Sequence, residues 1–154
     1  MRVVVLIGTI VVVLSTAANL LHGVAHEGQQ VMSLPAWQWV YVILVIFVLP
    51  VGAAALLWTR YQRAGAWLLF ASMVGSLVFG LAYHFLIPGA DNAFTLQPGA
   101  WRTTFQVSAA LVLLLQAIGS VVGVWALSVL SPFRTTGSTA RFSSTWQDSQ
   151  KEPR

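Results

Sequence analysis

The sequence predicts an all-α, polytopic membrane protein: a four-helix transmembrane bundle with both termini on the cytoplasmic side. Three observations lead there. Of its 154 residues, 57% are hydrophobic and only 8% charged, whereas an ordinary soluble domain is about a quarter charged. Four stretches reach the roughly 20 apolar residues that a helix needs to cross a hydrocarbon core. The segments between them are short and either polar or rich in Pro and Gly, so successive helices run antiparallel.

The first crossing, residues 3–25, opens with a Val, Leu and Ile run interrupted only by Gly8 and Thr9 and followed by "STAANLLHGVA". A second reading of this segment is a secretory signal cleaved near "STAA", which would leave three helices and put His22 and His26 on an external arm. The length favours a retained helix, because a signal needs an apolar core of only about 7 to 15 residues. The second crossing, residues 37–58, follows "EGQQVMSLPA" and contains Pro50 and Gly52, which predict a kink that opens space or shapes the packing. The third, residues 64–87, follows "TRYQR" and stops at Pro88 and Gly89. The fourth, residues 105–130, follows "PGADNAFTLQPGAWR" and carries Gly119 and Gly123, a small-residue pair read as internal packing. Together residues 1–130 form the membrane domain. Residues 131–154 are Ser/Thr-rich, opened by Pro132, and lack an apolar face; they are expected to be a disordered cytoplasmic tail.

Basic residues orient the bundle. Arg2, Arg60, Arg63, Arg134, Arg141, Lys151 and Arg154 fall on one side of the four crossings and only Arg102 on the other, which places both termini on the cytoplasmic side of a cell membrane. Trp37, Trp39, Tyr41, Tyr83 and Trp101 then mark the outer interface, and Trp58, Tyr61 and Trp67 the inner one. The net charge of +4 is accounted for by lipid headgroups, so the expected partner is the bilayer and not nucleic acid. A homo-oligomer or a larger membrane complex is compatible with this surface.

The chain contains no cysteine, which excludes disulfides and thiolate chemistry. It has three histidines, and all of them fall at the outer boundary. At 1.5 Å per residue, His22 lies about 30 Å beyond Arg2, and His84 a similar distance beyond Arg63. In the first helix Gly8, Ser15, Asn19, His22 and His26 share one face, and in the third Ser72, Ser76, Gly80 and His84 follow one another at every fourth position. Lipid cannot hydrogen-bond such groups, so both stripes are expected to face the bundle interior. The fourth helix adds Gln116 near mid-membrane.

Two imidazoles one turn apart, with a third from another helix, make a three-nitrogen set suited to Zn or Cu. One histidine from each helix can instead hold a haem iron from both sides. Asn19 is expected to orient an imidazole. Glu27, Asp91 and Asn92, in the outer loops, are expected to add an oxygen ligand or to hydrogen-bond a ligand. "HGVAHE" is not the zinc-protease signature, since Glu27 follows the second histidine. The leading expectation is a small membrane protein with a metal- or haem-binding site at its outer face, redox chemistry being one use of such a site. Two alternatives stand beside it: a proton, ion or solute transporter with Ser76 and Gln116 along the path, and a non-catalytic accessory subunit.

Overall fold

The computed structural model describes residues 1–32 and 34–131, so the predicted tail lies outside the described residues except for Ser131. Helices and connecting turns account for all of the described residues, with no strand among them. Four helices are long and apolar enough to cross a membrane: α1 (Arg2–Gly28), α2 (Ala36–Leu57), α3 (Gln62–Leu86) and α4 (Arg102–Val129). Each agrees with its expected span to within three residues at either end.

Helix α4 packs along both α1 and α3, and α3 packs along α2. Helix α1 meets α2 mainly through the half running from Leu49 to Leu57. The result is an up-and-down square in which α1 and α3 face each other across the axis. The α1–α2 and α3–α4 connections share one end of this square, the upper end. Near the lower end Val4, Val12, Leu57, Leu69, Met73 and Ala126 form a closed apolar core. The glycine pair on α4 belongs to the same packing: a Cβ on Gly119 would stand 2.7 Å from Met73 Sδ, and one on Gly123 would stand 2.8 Å from Phe70 Cα. These glycines allow α4 to approach its neighbours closely.

Two local features shape the upper half. Both α2 and α3 contain widened π-helical turns, over Val42–Val48 and Ala82–Leu86. In α2 the wide turns lie just before Pro50, which has no N–H to offer the carbonyl of Ile46. The predicted disturbance at Pro50 thus takes the form of a local change in helical pitch. The Ser76 hydroxyl donates to Val45 O at 3.4 Å, giving a partner to a carbonyl in the disturbed stretch. At the top of α1, Gln30 takes a left-handed conformation with φ 58°. Val31 N–H then reaches back 3.2 Å to His26 O, which closes the helix over its last histidine.

The α3–α4 connection folds back onto the upper end. Ala93 and Leu96 are buried there with Ala25 and Phe105. Ala93 N–H donates to His84 O at 2.8 Å, and Gln106 Nε2 donates to Ala93 O at 2.7 Å.

Candidate metal centre

The inward stripes predicted for α1 and α3 bring all three histidines together. His22, His26 and His84 are buried, and one ring nitrogen from each lies within 4.8 Å of the other two. The rings pack edge to face, with centroids 4.7 Å apart for His22 and His26 and for His22 and His84. The His26 and His84 centroids are 5.1 Å apart. Phe105, from the first turn of α4, touches all three rings and closes one side of the cluster.

Hydrogen bonds to the far nitrogens determine what the cluster presents at its centre. His84 Nδ1 lies 3.2 Å from the carbonyl oxygen of Asp91. A carbonyl can only accept, so this nitrogen carries the proton and Nε2 keeps a free lone pair. The Asp91 carboxylate stands beside the same edge, 3.6 Å from Nδ1. His22 Nδ1 lies 2.9 Å from Ser108 Oγ, while the Ser108 hydroxyl donates its one proton to Phe105 O at 3.0 Å. With its proton on Nδ1, directed to Ser108 Oγ, His22 presents a bare Nε2 lone pair; with its proton on Nε2, it donates to His84 Nε2. These two Nε2 atoms face each other at 3.1 Å. In the first tautomer the two lone pairs converge, an arrangement suited to a cation between or beside them. His26 adds a third ring, whose Nδ1 is buried without a hydrogen-bond partner.

Next to the histidines is a cavity of about 410 Å³, reaching from Asp91 at the top down to Gln116 and Ser76. His22, His26 and His84 all line it, so the centre is open on this side.

Several expected auxiliary residues take other roles. Asn19 is buried on the predicted face, but its amide donates to Ser15 O at 2.8 Å and it orients no imidazole. Ser108 holds that position instead. Asn92 is occupied within the connection, donating to Ile87 O at 3.1 Å and accepting from Phe94 N–H at 3.0 Å. Glu27 is exposed at the cavity rim, whereas Asp91 sits where a turn at Pro88 and Gly89 would bring it. Ser76 lines the cavity with its hydroxyl directed to the α2 backbone. Gln116 is 1% exposed, and its Oε1 has no partner. Sequence reasoning missed Ser108 and Phe105. A signal existed for Ser108, which lies eight residues before Gln116 and hence on the same helical face.

The three histidines can thus form a metal site, held by helices apolar enough to cross a membrane. Compared with models of known protein families, with curated proteins and with solved structures, the chain matches none.

Proposed function

We propose that this is an integral membrane protein, with both termini cytoplasmic, that holds one zinc or copper ion near its outer face through His22, His26 and His84. The facing Nε2 atoms of His22 and His84, 3.1 Å apart with His26 beside them, carry this reading. Two nitrogens bound tetrahedrally at 2.0–2.1 Å from zinc lie roughly 3.3–3.4 Å apart, so this pair needs only a small adjustment to admit an ion, and the His26 nitrogen, within 4.8 Å of them, has further to move. Ser108 and Asp91 do for the imidazoles what hydrogen-bond partners of metal-bound histidines generally do: fix the tautomer and the ring orientation.

A haem fits the arrangement less well. Axial ligation from two sides keeps the porphyrin plane between the two nitrogens, and these nitrogens are within hydrogen-bond distance with a third imidazole beside them. Three nitrogen ligands leave a fourth position, as in zinc sites that bind water or substrate. Here that position adjoins the cavity. The transport reading has less support, because below Gln116 the axis is filled by Met73, Leu69 and Leu57, each at most 1% exposed.

Metal analysis of protein purified without chelators tests the proposal. The expected result is one zinc or copper per chain, lost in His22→Ala, His26→Ala and His84→Ala alike. Double changes should add little, because ligands of one ion act as a unit. Wild-type protein that arrives metal-free and takes up neither ion on titration would overturn it.

A further inference from the structure

The cavity beside the histidines has the size of a small-molecule site, about 410 Å³ against the roughly 300–1,000 Å³ usual for ligand pockets. Its position follows from the packing of α1 and α2. These helices touch mainly along the half of α2 that ends at Leu57, so their upper halves stand apart. The gap is edged by Leu20 and Val24 on α1 and by Trp39 on α2, which are 59%, 55% and 40% exposed. The opening is therefore lateral. It lies on the same apolar belt as the outward faces of the helices, while Met32 and Leu34 of the α1–α2 connection line the upper part. Gly23 faces the gap, and a Cβ built there meets no atom within 4 Å.

The wall is apolar except at two places, the histidine centre and Gln116. Gln116 lines the cavity, and its amide oxygen is buried with no hydrogen-bond partner, a condition that favours a ligand able to supply a donor. It lies close to Gly80, 3.6 Å from where a Cβ there would stand. Gly80 is one helical turn, about 6 Å, below His84. An orphaned acceptor in an apolar pocket calls for a ligand that brings a proton donor. The charges call for a neutral one: Asp91 and Glu27, both lining the cavity, already offset the two charges of a divalent ion.

We infer that the cavity binds a neutral, lipid-soluble alcohol that enters from the bilayer between α1 and α2. Its hydroxyl proton is donated to Gln116 Oε1, the hydroxyl oxygen faces the histidine centre, and the chain lies along the apolar wall toward the opening. The proposal deepens the metal-site reading by giving the open side of that centre a ligand class. Its support from Gln116 and the lateral opening is independent of the ion.

Quenching of Trp39 by 12-bromododecanol, in protein reconstituted into nanodiscs, tests it. The signal is the wild-type quenching minus that of Trp39→Phe, and metal content is measured on the same samples. Saturable quenching is expected, competed by dodecanol at least tenfold better than by dodecyl methyl ether, which has no proton to donate. Gln116→Leu should weaken it at least tenfold. Gly23→Phe, filling the gap where no atom is displaced, should abolish it while metal content stays at the wild-type level. Equal competition by the ether, unchanged quenching in both variants, or quenching that never saturates would each overturn the inference. Metal-free wild type with saturable, Gln116-dependent quenching would remove the metal reading and support this one.

Discussion

Ser108 Oγ lies 2.9 Å from His22 Nδ1, joining α4 to α1 through a hydroxyl that also bonds to Phe105 O. The bond sets which His22 nitrogen faces the centre. Ser108→Ala should leave the fold intact and lower zinc affinity about 10- to 100-fold, the usual cost of losing a partner to a metal-bound histidine. Competition against a chromophoric chelator measures this directly. An unchanged affinity would mean that His22 does not depend on Ser108 for its tautomer.

The close approaches of α4 differ in what they meet, and so should the cost of filling them. A Cβ on Gly123 would stand 2.8 Å from the Phe70 backbone, whereas on Gly80 it meets the flexible end of Leu113 at 3.2 Å. Backbone cannot swing away as a side-chain tip can. Gly123→Ala should destabilise the bundle by about 1–3 kcal/mol, and Gly80→Ala by clearly less. Thermal unfolding in detergent ranks the two, and the opposite order would contradict the α3–α4 packing.

Gln116 is the expected site of a stability gain. Replacing an unpartnered buried amide by an apolar group of similar volume removes its desolvation cost. Gln116→Leu should therefore raise the melting temperature of ligand-free protein, by the equivalent of about 1–3 kcal/mol. A drop in melting temperature would show that the amide is satisfied in the folded protein.

The proposed orientation rests on the distribution of arginine and lysine. Reporter fusions after Arg63 and at the C-terminus should both report cytoplasm, and a fusion between Asp91 and Gln97 should report the outside. Reversal at the loop would move the histidine centre to the cytoplasmic face.

Much of this architecture was legible in the sequence because membrane helices signal themselves by length and apolar content. The stripe of Gly8, Ser15, Asn19, His22 and His26 is buried throughout, since small and polar groups on an otherwise aliphatic helix have few other places to go. What the neighbours do was less legible. Asn19 points inward as its spacing requires, yet its amide turns back to Ser15 O, a local alternative that periodicity cannot distinguish from an interhelical bond. Asn92 likewise spends its amide on its own turn. The wide turns of Val42–Val48 consist wholly of apolar residues and leave no periodic trace. The cavity depends on where two helices separate, which no single segment records.

Ser72, Ser76, Gly80 and His84 are all buried although they repeat every four residues. On a regular α-helix each such step overshoots a full turn by about 40°, and the stripe would drift around the helix. Along Ala82–Leu86 the pitch loosens, with Ile87 N–H bonding to Ala82 O at 2.7 Å. The extra residue per turn absorbs part of that drift. His84 thus depends on the count of residues before it as well as on its own identity. Deleting Ala82 or Tyr83 would restore the tighter pitch and swing the imidazole by about 100°, taking it out of the cluster while every histidine is retained.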